Sequence, residues 1–420
     1  MMRSLFAGVS GLQNHQIRMD VIGNNIANVN TVGFKYSRAT FKDALYQTLA
    51  AATAPQGNRG GVNAQQVGLG SALGSIDVIH TQGGTQSSSS ETDLAIEGNG
   101  FFVLSDGDKR YYTRAGMFEF DGTGTLVSKL NGLPVMGYLA DVNGNISTDE
   151  DVELKAIKIT GSVSSINATA TSEVVLSGNI SSATEEGGQV ERIATVYDAN
   201  GDTHRVLITF TKNRVGEWTW SAKLEGDPAE TELGPSDPAD RLIEFNDDGI
   251  IVTGKKGTVT IPHTLLPLVK NTNLKFTLDF SGVKQYADET SVVVLRQNGL
   301  PPGELDGVSI DRSGVLIGSY SNGLIKELGQ IALARFENPP GLLKVGDTMF
   351  SESVSSGNAV IKSANTSGLG AVMSNSLEMS NVDLSNEFTE MIITQRGFQA
   401  NSRIITSADE MLQELVNLKR

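Results

Sequence analysis

LEMSNVDLSNEFTEMIITQRGFQANSRIITSADEMLQELVNL, from Leu377 to Leu418, sets the architecture of the chain. Counted by sevens it gives Leu377, Leu384, Met391, Phe398, Ile405 and Leu412. Phe388, Ile392, Ile404, Leu415 and Val416 widen this stripe, and Thr389, Arg396, Arg403 and Glu410 mark a polar side. Such spacing predicts an amphipathic helix with a coiled-coil seam. No Pro interrupts it, and at a rise of about 1.5 Å per residue it would run roughly 60 Å. A helix of that length needs a partner. The same spacing recurs at the other end of the chain in Leu5, Leu12, Met19 and Ile26, with Val9, Ile22 and Val29 beside them. Two lone helices offer too little surface to bury both stripes. A stem that packs against stems of other copies therefore fits the pattern better than a closed hairpin on a single core.

Working inward, the first helix is expected from about Ser4 to Asn28. It stops in an Asn-rich turn around Asn28 and Asn30, closed by Gly33, since Asn and Gly tolerate left-handed backbone. Termination explains less well why Asn24 and Asn25 sit inside the last turns, where buried amides in a helix contact would each need a partner. Thr40 to Ala54 carries a short apolar period that suggests another helix. Two Gly-rich stretches, Pro55 to Gly74 with Gly68-Leu69-Gly70 and Ser351 to Ser376 with Gly368-Leu369-Gly370, read as linkers at mirror positions inside the terminal helices.

Between them lie strand-length runs such as Phe101-Phe102-Val103-Leu104 and Tyr111-Tyr112-Thr113, separated by turns such as Asp106-Gly107, Asn131-Gly132 and Asn143-Gly144. A second unit contains a clear hairpin, Glu191 to Tyr197 against His204 to Phe210 across Asp198 to Asp202. After Tyr286 the strands, beginning with Ser291 to Leu295, are expected to rejoin the first unit. The expected class is α+β. Residues 1–45 and 375–420 form a stem and 46–90 and 350–374 link it. Residues 91–156 and 286–349 form an inner, mainly antiparallel β domain of sandwich or barrel type, with 157–285 inserted as an outer one.

Composition narrows the function. The 420 residues imply two or three domains. The 46 glycines stand well above the average of about 7% and suit many tight turns. The net charge is −15 with no basic stripe, which argues against nucleic acid and anionic lipid as partners. There is no Cys, so disulfides, thiol nucleophiles and thiolate metal sites are excluded. No apolar run spans a bilayer. The N-terminus lacks the pattern of a cleaved leader. The four His residues fall in separate segments without metal-ligand spacing. Asp141 to Asn145 and Asp198 to Asp202 have Gly at the fourth place, not the sixth, and suit hairpin turns better than calcium loops. Gly68 to Gly74 lacks the context of a dinucleotide loop. No catalytic constellation, metal site or cofactor is expected. Trp218 and Trp220 share one face of a strand, where a core position is favoured over sugar stacking.

Ser4-Leu5-Phe6-Ala7-Gly8-Val9-Ser10-Gly11-Leu12 and Gly23-Asn24-Asn25-Ile26-Ala27-Asn28-Val29-Asn30-Thr31-Val32-Gly33-Phe34-Lys35 resemble the N-terminal signature of bacterial flagellar rod and hook proteins. Ser380 to Leu384 and Gln395-Arg396-Gly397-Phe398-Gln399-Ala400-Asn401-Ser402-Arg403 resemble the matching C-terminal signature. The inserted unit, with Ala194 to His204, and Tyr112-Thr113-Arg114-Ala115-Gly116 are similar to the hook branch of that family. The resemblance implies a structural subunit, not an enzyme, that polymerises into a curved extracellular tube coupling motor rod to filament. It implies a homopolymer with a hook cap, rod and hook-filament junction proteins as neighbours, and export through the flagellar type III apparatus without a cleaved leader. Some hook proteins cross-link through Cys, a chemistry this chain lacks. The expected polymer contact comprises Leu5, Val9, Leu12, Met19, Ile22, Ile26, Val29, Leu377, Leu384, Phe388, Met391, Phe398, Ile405 and Leu412. A distal rod protein, and a secreted β-sandwich adhesin or sugar-binding protein using Trp218 and Trp220, are the alternatives.

Overall fold

The computed structural model describes residues 2–55, 57, 60–141, 144–147, 153–159, 164–266 and 273–417. They divide into two compact units, each built from separate stretches of chain. One comprises Met1–Ile159, Val308–Ile317 and Glu327–Arg420; the other comprises Thr160–Gly307 and Gly318–Lys326.

The second unit is a β-sandwich. Its five-stranded sheet runs in the order Gln189–Tyr197, Thr203–Arg214, Glu217–Leu224, Leu242–Phe245 and Ile251–Thr253. The expected hairpin is present, with Tyr197 opposite Thr203 and Gln189 opposite Thr211. Burial alternates along the two central strands, as a period-2 chain with one wet face requires. The opposing four-stranded sheet runs Lys256–Ile261, Leu274–Tyr286, Glu173–Ser181 and Val293–Gln297. Its two long strands are parallel, where antiparallel pairing was expected. Val293–Gln297 pairs with Glu173–Ser181 and so belongs here, not to a return of the first unit. The inner faces meet in an apolar core containing Phe210, Trp218, Trp220, Phe276 and Phe280. Strand Lys256–Ile261 can cross the Trp220 ring because Gly257 has no side chain: a Cβ there would lie 2.2 Å from a ring carbon.

In the first unit, helix α1 spans Met2–Ala27 and helix α2 spans Leu384–Asn417. Helix α2 starts seven residues later than the stripe suggests. Asp383 caps it, its carboxylate accepting the Ser385 N–H at 2.9 Å. Leu377 instead lies in the strand Ser376–Glu378, paired with Thr85–Ser87. The helix expected over Thr40 to Ala54 is also absent; the chain forms strands Ser37–Asp43 and Tyr46–Ala50. These pair with Ser71–Val78 and Gln65–Gly68, so part of the first expected linker forms a two-stranded ribbon. The second expected linker contributes strands Val360–Ser363 and Ala371–Ser374, the latter paired with Leu94–Glu97. Gly, Asn and Gln make the first stretch look loose and Gly, Asn and Ser the second, yet both contribute paired strands. Phe101, Val103, Tyr112, Ala334, Phe336 and Phe350 centre a separate core in this unit.

The Gly excess has a local cause. Asp121, Asp198 and Asp311 each accept N–H groups from residues two and four further on, at 2.8–3.0 Å. Gly124, Gly201 and Gly314 stand at the fourth place with φ of +78°, +90° and +74°. The Asp closes the turn and the Gly permits its left-handed step. This accounts for the Asp198 loop without calcium. The Asp141 turn resembles it, with Gly144 at φ +89°; Val142 and Asn143 lie outside the described residues.

Candidate functional site

Helices α1 and α2 pack antiparallel, residue against residue. A Cβ on Gly8 would lie 3.3 Å from Ile405 Cγ1, one on Gly11 2.4 Å from the Asn401 amide, and one on Gly397 2.6 Å from the His15 ring. Arg18 pairs with Glu390, and the Asn25 amide donates to Glu387 at 3.1 Å. Small residues thus let the helices approach, and polar side chains fix the register. Burial makes His15 harder to protonate, with Arg18 adding to the effect. Burial also pushes the Glu387 carboxyl up, against the Asn25 amide that donates to it.

Within one copy the expected stripe is only half covered. Leu5, Leu12, Met19, Ile26, Met391, Phe398, Ile405 and Leu412 are partly buried, while Ile22, Thr394 and Ala408 are buried. Val9, Leu384 and Phe388 are exposed, as are Phe6, Ile392, Ile393, Ile404, Met411 and Val416. The Leu415 side chain lies outside the described residues. Val29 is partly buried in the turn that follows α1, and Leu377 is partly buried in its strand. A second face of α1 lies on the ribbon: the Asn14 amide donates to Ser71 at 2.7 Å, and Ser10 Oγ accepts from the Ser71 N–H.

The signature residues divide in the same way. Asn25 is buried and clasps the Ser37 backbone, accepting its N–H at 2.9 Å and donating to its carbonyl at 2.8 Å. Asn24 is exposed, and the Asn28 amide donates back to the Asn24 carbonyl. Asn30 and Arg396 are exposed. Gly33, at φ +69°, lies so close to the next segment that a Cβ would sit 2.5 Å from the Ala115 nitrogen. Phe34 is covered by the Lys344 ammonium, 4.7 Å from its ring centre. Gly397 and Asn401 sit in the helix seam.

Beneath the helices the two ends of the chain meet in a buried ionic junction. The Glu378 carboxylate accepts from Lys35 Nζ at 2.6 Å, from Arg114 Nη1 at 3.2 Å and from the Gly83 N–H at 2.9 Å. Its backbone carbonyl accepts the Gly33 N–H at 2.7 Å. Lys35 and Glu378 have no exposed side-chain surface. Burial lowers the pKa of Lys35 and of Arg114, and Glu378 opposes both shifts. Asn381 completes the junction, accepting the Tyr36 N–H at 2.8 Å and donating to the Ile79 carbonyl at 2.9 Å. Sequence alone brings Lys35, Arg114 and Asn381 forward inside motifs, but not their common partner Glu378. Nothing in local spacing links four segments so far apart.

Among the described residues no group of His, Asp and Glu is arranged to hold a metal, and no helix is long and apolar enough to cross a membrane. Trp218 and Trp220 are wholly buried, so neither can stack on a sugar.

Known proteins match this chain from end to end. Family descriptions fit in order: flagella basal body rod protein at residues 5–35, flagellar hook protein FlgE/F/G D1 domain at 95–165, flagellar basal body protein FlaE D2 domain at 166–300, and flagellar basal body rod FlgEFG protein C-terminal at 373–418. The flagellar hook protein FlgE of Borreliella burgdorferi is 40% identical over 451 residues, covering 100% of both chains. A protein of Bacillus subtilis named flagellar basal-body rod protein FlgG is 33% identical, again over 100% of both. The crystal structure of Helicobacter pylori flagellar hook protein FlgE2 superposes with a TM-score of 0.51 at 14% identity, covering 70% of this chain and 100% of that one; it supports the fold. By sequence over its whole length, the chain belongs to the flagellar hook protein family.

Proposed function

We propose that the chain is the structural subunit of a flagellar hook, and that it polymerises through the outer stripe of its paired helices. The observation that carries this reading is the apolar surface left open after α1 and α2 have paired. Phe6 is 64% exposed, Phe388 50% and Ile392 53%. Neighbouring copies would cover this surface, so the helices gain their full order on assembly. In this reading the terminal helices form a coiled-coil stem, with the two β units nested between them. The outer β unit carries the polar, sliding contacts that a bending tube needs. The subunit leaves the cell by the flagellar type III route without a cleaved leader. Outside, it meets a hook cap, the rod and the hook-filament junction.

The test is a triple variant, Phe388→Ser, Ile392→Ser and Ile404→Ser. All three side chains are exposed, so the subunit should keep its fold while losing assembly. Electron microscopy and sedimentation of the concentrated protein should show tubes for the parent and monomers for the variant. Tubes of normal yield from the variant would overturn the reading. The Bacillus subtilis relative favours a second reading, a straight distal-rod shaft. Straight polymers in place of curved ones would support that reading.

A further inference from the structure

Among the large apolar side chains of the described residues, Val354 stands furthest into solvent, at 106% exposure. A single exposed Val is ordinary; the turn that carries it is not. Ser353 Oγ accepts from the Ser355 and Ser356 N–H groups at 3.1 and 3.2 Å and donates to the Gly341 carbonyl. Ser356 is 1% exposed, and its hydroxyl donates back to the Ser353 carbonyl at 2.9 Å. The Asn338 amide donates to the Ser355 carbonyl at 2.8 Å. The turn is thus tied on both sides of Val354, and a fixed tip loses little conformational entropy when it is covered.

The same unit contains an apolar recess of about 380 Å³, walled by Phe34, Leu130, Met349 and Phe350, with Lys344 and Asp347 beside them. Lys344 donates only to neutral oxygens, the Lys35 carbonyl at 2.9 Å and Ser37 Oγ at 3.0 Å. Burial lowers its pKa, and no carboxylate, Asp347 included, opposes the shift. Glu352, two residues before Val354, is exposed; it accepts from the Tyr112 hydroxyl and forms no ion pair. A cation at the recess and an acid beside the tip, each without an opposite charge in its own copy, are complementary. The recess and the tip also lie past opposite ends of strand Met349–Ser351: Met349 walls the recess, and Val354 follows Ser351 by three residues. Val354 is bare, so it does not enter the recess of its own copy.

We propose that the Val354 turn of one copy docks into the Phe34–Leu130–Met349–Phe350 recess of a second copy, with Glu352 set against Lys344. Each joined pair leaves one tip and one recess free, so the contact is head-to-tail and propagates instead of closing. It rests on the polymerisation reading for the existence of a polymer, and adds a contact that the helices do not make.

The chain has no Cys, so introduced thiols report this contact alone. Full-length Val354→Cys, Leu130→Cys should assemble under reducing conditions. Oxidised as polymer, it should give a ladder of covalent multimers on a denaturing gel, while a mixture of the two single variants should stop at dimers. Leu130→Cys with Val215→Cys, 87% exposed in the other unit, should stay monomeric. Val354→Asp, at a side chain that touches nothing in its own copy, should raise the concentration needed for assembly about tenfold. Polymer without a ladder, a disulfide closed within one chain, or an unchanged assembly threshold in Val354→Asp would overturn the docking alone. Parent protein that forms no polymer would sink the polymerisation reading, and the docking with it.

Discussion

Removing the Glu378 carboxylate strands two buried cations at once. Breaking a buried pair by deleting one partner costs about 3–5 kcal/mol, because the remaining charge is neither solvated nor paired. Glu378→Ala should therefore lower folding stability by about that amount in urea titration, whereas Arg214→Ala, at an exposed ion pair, should change it by less than about 1 kcal/mol. His80 gives the molecule a pH dependence of definite sign. Burial and the nearby cations pull it down from 6.5 to about 4. Between those values the unfolded chain binds the proton that the folded chain refuses. Stability from this residue is thus full above about 6.5 and is lost as the pH falls toward 4, by up to about 3 kcal/mol. Glu387 works in the opposite sense, since its raised value favours folding at low pH. Stability curves from pH 4 to 7 should isolate the His80 contribution, with His80→Phe flatter than the parent.

At the scale of elements, the sheets of the sandwich approach where a side chain is missing. Gly257→Val would place a branched side chain against the buried Trp220 ring, and overpacking of this kind costs about 1–3 kcal/mol. Tryptophan fluorescence should report an earlier unfolding midpoint, and far-UV helix signal should be unchanged at low denaturant. The elements also differ in how openly the sequence declares them. Both stripes are legible because heptad spacing is a local property, and so is the Gln189–Arg214 hairpin, whose strands are neighbours across an Asp-Ala-Asn-Gly-Asp turn. Leu377 misleads because it falls on the heptad by coincidence, while Asp383 six residues later starts the helix. The ribbon strands and the parallel pair Glu173–Ser181 with Leu274–Tyr286 were hidden for another reason. The parallel partners lie far apart along the chain, the ribbon strands face each other across a long polar loop, and composition alone carries no register. The candidate interface was legible as a stripe but not as a face. Only the pairing of α1 with α2 separates the covered side from the open one.

At the scale of the whole molecule, two truncations separate folding from assembly. Deleting Ser385 to Arg420 removes α2 but keeps Glu378 and Asn381. The β units should fold with little change in their denaturant midpoint, and no polymer should form. Deleting Leu377 to Arg420 also removes the junction. Its first unit should unfold at distinctly lower denaturant while the sandwich transition stays put. Equal stability of the two truncated chains would show that the junction contributes little.

The place of Glu378 in the chain also governs timing. It follows Lys35 by 343 residues and Arg114 by 264. A polypeptide emerging from its N-terminus must hold both cations in water until nearly nine-tenths of it has appeared. An incomplete chain therefore lacks this junction until its final tenth arrives.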